Sequence, residues 1–75
     1  MTLDEFVKLI AGEFSMTPEE LFTPSTRYRE LDEWGSLTTL SIISEIDDEM
    51  DVQLTGADLR SVNTIEELYN LIQSK

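Results

Sequence analysis

The sequence predicts a small all-α domain, and three observations support that fold class. Apolar residues recur at intervals of three and four, the spacing of one helix face, and no segment sustains the alternation of a strand. Three Thr-x-x-Glu motifs, at residues 2–5, 17–20 and 64–67, are typical of helix starts. The 75 residues contain no cysteine, so stability must come from a packed core rather than from disulfides. We therefore expect one domain spanning residues 1–75.

The first helix is predicted to begin at a capping box. The Thr2 hydroxyl can accept a hydrogen bond from the Glu5 amide while the Glu5 carboxylate reaches back to Thr2. Apolar residues at helical spacing then define its buried stripe: Leu3, Phe6, Val7, Ile10 and Phe14. Gly12 falls late in this stripe and interrupts it.

A long connection follows the first helix. Residues 17–20 repeat a start signal with Pro18 in the first-turn position, so we expect a short helical turn anchored to the core by Leu21 and Phe22. No period holds over residues 23–35, and an irregular stretch this long in a small domain is usually either functional or disordered. Three large apolar side chains in this stretch argue against disorder: Tyr28, Leu31 and Trp34. Of these, Leu31 is expected to point into the core.

The second helix is predicted over residues 36–50, with Ser36 as its N-cap. Its buried row has i, i+4, i+8 spacing, with Ile43 beside it: Ile42, Ile46 and Met50. For Leu37 two interpretations stay open, plain core packing or partial exposure next to Ser36. The interior of the domain is expected to be lined by five aliphatic residues, namely Leu40, Ile43, Ile46, Ile65 and Leu68.

The last third of the chain predicts one short and one longer helical segment. Residues 56–59 are expected to form a short helical turn at best. A second capping box, Thr64 with Glu67, begins the last helix. Its buried stripe has the same spacing as before: Ile65, Leu68, Leu71 and Ile72.

Composition excludes several classes of function. Five Lys and Arg against 16 Asp and Glu give a net charge of -11, which repels nucleic acid and anionic lipid and predicts basic protein surfaces as partners. The chain has neither Cys nor His, so we expect neither an enzyme nor a soft-metal site. A calcium loop over residues 47–58 would need Gly at its sixth position, where Val52 stands. The acidic N-terminus differs from a signal peptide, which predicts a cytoplasmic protein.

The order and spacing of these elements resemble an acyl carrier protein over essentially the whole chain. That family is a four-helix bundle with a short third helix, and it carries substrates as thioesters on 4′-phosphopantetheine attached to the serine of an Asp-Ser-Leu motif. Ser36 and Leu37 match the last two motif positions, so the resemblance implies attachment at Ser36. It also implies a monomer visited by a phosphopantetheinyl transferase and by acyl-handling enzymes whose basic surfaces dock on the second helix. The expected docking residues are Leu37, Glu45, Asp47, Asp48 and Glu49.

Two departures from the family pattern bear on function. Gly35 stands where the family usually has Asp, which keeps open the alternative of an acidic helical interaction module that is never modified. Thr38 and Ser41 stand where many members have acids, which favours a specialised pathway at least as much as general fatty acid or polyketide synthesis.

Overall fold

The computed structural model describes all 75 residues and contains four α-helices and no strand. The helices are α1 (Leu3–Ala11), α2 (Ser36–Met50), α3 (Gly56–Ser61) and α4 (Ile65–Gln73), and two 3₁₀ turns, Glu19–Leu21 and Tyr28–Glu30, lie between α1 and α2. The predicted all-α class is confirmed, and α2 has the predicted bounds. None of the helices combines the length and the apolar character that crossing a bilayer requires.

Capping boxes begin three of the four helices: Thr2–Glu5 at α1, Thr55–Asp58 at α3 and Thr64–Glu67 at α4. The first and last were predicted. The middle one was not, and it makes α3 a six-residue helix rather than the single turn expected from the sequence. The hydrogen bond that Asp58 accepts from the Thr55 amide holds the pKa of this carboxyl below its ordinary value.

The core is built from the predicted apolar stripes and contains no buried charged side chain. Its largest fully buried members come from all four helices and from the first loop: Phe6, Ile10, Tyr28, Ile42, Ile46, Leu59, Ile65 and Leu68. Phe14 and Phe22 are buried as expected. Leu31, Trp34 and Ile43 are half-buried and pack against this core.

Two apolar residues lie outside the core, contrary to prediction. Leu21 is 56% exposed: it is the last residue of the 3₁₀ turn, which buries none of its residues, and the next residue, Phe22, enters the core instead. Leu40 is 62% exposed and does not line the interior. It precedes Ile42 by two residues, which places it about 200° round α2 from that buried side chain.

The long first loop is tied to the last helices rather than left free. The buried Tyr28 hydroxyl donates to the Leu59 carbonyl at 2.6 Å, and the Arg29 guanidinium donates to the Val62 carbonyl at 3.0 Å and to Asn63 Oδ1 at 2.6 Å. The Tyr28 ring also packs on Trp34, with ring centroids 5.3 Å apart. The loop is therefore ordered, and it fixes the chain just before α2.

Candidate functional site

Ser36 is the first residue of α2 and is exposed to solvent. The N-cap is Gly35, and no side chain caps this helix. The prediction that Ser36 is the N-cap is therefore wrong by one position: its hydroxyl points from the first turn and makes no hydrogen bond within the protein. This hydroxyl is available for reaction in a way that a capping hydroxyl would not be.

The positive end of the α2 helix dipole, at its first turn, is not neutralised by a side chain. The Gly35 carbonyl accepts from the Thr39 amide at 2.9 Å, so the amides of residues 36–38 have no acceptor within the helix. The first turn also contains no acid. Free amides and the helix dipole together favour an anionic group at this end, and a phosphate on Ser36 Oγ would lie within reach of them.

Hydroxyl groups fix the backbone at this position. Thr38 Oγ1 donates to the Glu33 carbonyl at 2.9 Å, and Thr39 Oγ1 donates to the Gly35 carbonyl at 2.8 Å. Both bonds join the first turn of α2 to the segment that enters it. They hold Ser36 in place without using its own side chain.

The Glu33 carboxylate is a second tether just before the site. It accepts from the Met16 amide and from Thr17 Oγ1, both at 2.8 Å, and from Ser15 Oγ at 3.5 Å. Partial burial alone would raise the pKa of Glu33, but these hydrogen bonds outweigh it and hold the pKa below the ordinary value. Glu33 therefore stays ionised, and it joins residues 15–17, which follow α1, to the segment that precedes Ser36.

A groove between α2 and α3 runs beside Ser36. Its volume is about 470 Å³, and Trp34, Leu40 and Ile43 form an apolar wall, with Arg60 on α3 opposite. This volume falls within the range of ligand pockets, about 300–1,000 Å³. A hollow of about 530 Å³ lies elsewhere, between α1 and the first 3₁₀ turn, and does not include Ser36. The exposed Leu40 thus belongs to the groove rather than to the interior.

The residues predicted to meet partners divide into three positions on α2. Leu37 is 82% exposed, which excludes plain core packing. At 100° per residue, Asp48 lies about 20° from Leu37, so these two share one exposed face. Glu45 and Asp47 are half-buried and lie about 80° to either side, and Glu49 is exposed about 120° away.

The half-buried Glu45 faces another carboxyl. Burial, and then the negative charge of Glu45, raise the pKa of Glu13 above its ordinary value. Negative potential therefore extends from the end of α2 onto the segment after α1. The acidic surface is wider than the run in α2 alone.

Sequence reasoning missed two residues at this site, Glu33 and Arg60. The contacts of Glu33 join segments 16 to 18 residues apart, and nothing in the local pattern indicates such pairing. Arg60 did have a signal, because it is the only basic residue between Arg29 and Lys75. An isolated cation in so acidic a stretch is visible in the sequence, although its nearness to Ser36 in the fold is not.

Comparison with known proteins agrees with this geometry. A family described as phosphopantetheine attachment site matches residues 4–72, which include the groove and all of α2 and α3. Proteins of this kind are carriers rather than catalysts: they hold 4′-phosphopantetheine covalently and interact with phosphopantetheinyl transferases and acyl-handling enzymes. Searches of curated proteins and of solved structures give no match. By its matched sequence and its four-helix architecture, the chain belongs to the phosphopantetheine attachment site family.

Proposed function

We propose that residues 1–75 form a monomeric, cytoplasmic acyl carrier domain that takes its 4′-phosphopantetheine on Ser36 and shuttles acyl thioesters between biosynthetic enzymes. The observation that carries this proposal is the exposed, unbonded Ser36 hydroxyl at the uncapped positive end of α2. When attached, the arm supplies the thiol that the cysteine-free chain lacks.

The residues around Ser36 fit an attached phosphate. In the loading step, Ser36 Oγ bonds to the phosphorus next to pantetheine in coenzyme A, the bond to the second phosphate breaks, and 3′,5′-ADP leaves. The hydroxyl proton passes to the transferase. The resulting phosphodiester would be anionic, and the amides at the start of α2, which have no acceptor in the helix, favour negative charge at that end.

The experiment that tests this proposal is loading by a broad-specificity phosphopantetheinyl transferase with coenzyme A. Intact mass should rise by one phosphopantetheine, and fragmentation should place the added mass on Ser36. The alternative of an unmodified interaction module predicts no gain in mass. A transferase-treated chain that stays at its original mass, beside a control carrier that is loaded, would refute the proposal.

A specialised pathway is supported by the chemistry of the first turns of α2. The Thr38 hydroxyl is already bonded to the Glu33 carbonyl, and the exposed Ser41 is uncharged. An enzyme that docks here meets Leu37, Leu40 and hydroxyl groups before it meets the acids further along. We therefore propose partners with a mixed surface, apolar next to the arm and basic beyond it, rather than a uniformly basic one.

The acids at the end of α2 are proposed to steer these partners. They lie where the helix dipole disfavours negative charge, and no basic side chain occupies the last turn. Exposed charge pairs add little to affinity, but they raise association rates and orient the encounter. Such a surface suits a carrier that must visit several enzymes and leave each one quickly.

Replacement of Asp47 and Asp48 by Asn should slow association with a partner enzyme at low salt and flatten the salt dependence of the rate. The fold should be unchanged or slightly more stable, because the helix dipole is relieved. Stopped-flow association over a range of salt concentrations measures this. The matched control is Glu19→Gln with Glu20→Gln, an exposed pair with the same charge change on another element. Equal association rates and equal salt slopes for the two double variants would show that the α2 acids keep the protein soluble but do not steer partners.

Gly35→Asp should raise both the loading rate and, slightly, the stability. Gly35 has extended backbone, φ -176° and ψ -174°, and an added Cβ would meet nothing within 4 Å. An Asp side chain there can cap α2, and the difference between Asp and Gly at an N-cap is a few tenths of a kcal/mol. Gly35→Ala is the control, since Ala adds the Cβ without a capping oxygen. Loading rates that are the same for Asp and Gly would show that this position does not limit the transferase.

A further inference from the structure

Arg60 is the basic residue that lines the groove beside Ser36, and its side chain has no hydrogen-bond or salt-bridge partner within the protein. Of the five basic residues, Arg27 pairs with Glu30, Lys75 pairs with Asp58, and Arg29 is held by Val62 and Asn63. Lys8, on α1 and outside the groove, forms no salt bridge. The Arg60 guanidinium forms no salt bridge and no hydrogen bond, although the chain carries 16 acids.

The exposed Arg60 side chain lies along α3 over Gly56. Its guanidinium folds back over Gly56, one turn earlier: Nη1 would lie 3.2 Å from a Cβ at that position, which is tighter than ordinary contact. Gly56 therefore leaves the space that the guanidinium occupies. Both residues line the groove that Ser36 also lines.

The groove thus contains both an unpaired guanidinium, from Arg60, and the Ser36 hydroxyl, which forms no hydrogen bond within the protein. Its other side is apolar, through Trp34, Leu40 and Ile43. An occupant that complements these walls has an anionic group near Ser36 and a less polar chain beyond it. Arginine suits such an anion, because its planar fork of donors matches the oxygens of a phosphate.

We propose that Arg60 binds the phosphodiester formed on Ser36 and thereby holds the phosphopantetheine arm along the groove between α2 and α3. This inference rests on the proposed attachment at Ser36. It assigns the arm a preferred path on the protein surface instead of free motion in solvent. A substitution at Arg60 would release the arm without preventing its attachment.

The experiment compares the unloaded and loaded forms of the wild-type protein and of Arg60→Gln, with Arg27→Gln as the matched control. Arg27 undergoes the same chemical change, is exposed and lies outside the groove. Intact mass first establishes that each protein is loaded, so a failure of attachment at Ser36 is detected separately from a failure of the Arg60 contact. The loaded form used carries a free thiol, in which the phosphodiester is the only new anion.

Loading should shift the Arg60 side-chain Nε–H resonance and the Gly56 amide resonance in nitrogen-15 spectra, and should raise the melting temperature at low salt. Arg60→Gln should lose that rise in melting temperature, and Arg27→Gln should keep it. The proposal is overturned by an Arg60 resonance that is unchanged on mass-confirmed loading, or by an Arg60→Gln protein with the full wild-type rise. A response that appears only after loading of a carboxylated acyl group also overturns it, since the cargo would then be the partner of Arg60.

Discussion

Ser36→Ala is expected to abolish loading while changing the free energy of unfolding by no more than about 0.5 kcal/mol. The hydroxyl is the proposed attachment atom, so its removal leaves the transferase without an acceptor. Stability should be kept because the side chain is exposed and caps nothing. Alanine also has a high helix propensity, which suits the first turn of α2. Intact mass after transferase treatment and urea unfolding of the same samples measure the two effects.

Ser41→Ala is the control for this prediction, because Ser41 is an exposed serine in the same helix. It should load at the wild-type rate. Added mass on another serine of the Ser36→Ala protein would contradict the assignment of the site. A loss of about 1 kcal/mol or more would instead show that Ser36 caps α2 in solution, which is the cost of removing an N-cap.

Tyr28→Phe should lower the free energy of unfolding by about 1–3 kcal/mol, the cost of leaving a buried hydrogen-bonding group unsatisfied. The Tyr28 side chain is fully buried, and its hydroxyl donates to the Leu59 carbonyl near the end of α3. Phenylalanine fills almost the same volume but leaves that carbonyl without its donor. Urea unfolding measures the loss, and Tyr69→Phe is the matched control. The Tyr69 hydroxyl donates to the Met1 carbonyl at an exposed position, so its removal should cost less.

The same residue gives an expected pH dependence. Burial raises the pKa of Tyr28 to about 12, above the value of 10.0 for a free tyrosine. A pKa raised in the folded state means that stability is fully present below about pH 10 and falls as the pH rises towards 12. Tyr28→Phe should lack this alkaline loss. Equal losses in both proteins, or equal effects of the two Tyr→Phe changes at neutral pH, would show that the buried hydroxyl does not hold α3.

Local signals in the sequence were sufficient to predict where most of the helices begin. Thr2 with Glu5 and Thr64 with Glu67 combine a hydroxyl and a carboxylate at the spacing that caps a helix, so the starts of α1 and α4 follow from the sequence. The same signal begins α3 with Asp58 in place of Glu. That shorter acid still reaches the Thr55 amide, at 3.0 Å, and the helix could have been predicted from it.

Contacts between distant segments could not be predicted in this way. The start of α2 shows the difference: a Gly-Ser pair is compatible with either residue as the N-cap, and the choice depends on where Thr38 and Thr39 bond to the preceding segment. Leu40 has the composition of a core residue, but its angle round α2 turns it towards the groove. Arg60 meets the site only because α3 packs beside α2.

The uncapped start of α2 has a consequence for local motion. Helix ends with few partners open more readily than the core, and their amides exchange with solvent while the rest of the domain stays closed. The amides of residues 36–38 have no acceptor in the helix, whereas Ile42 and Ile46, further along α2, are fully buried. The two hydroxyl bonds from Thr38 and Thr39 are the side-chain bonds that hold the first turn, so it can fray without unfolding the bundle. An enzyme that binds here can change the backbone conformation around Ser36 at small energetic cost. The carrier therefore stays folded each time it passes from one enzyme to the next.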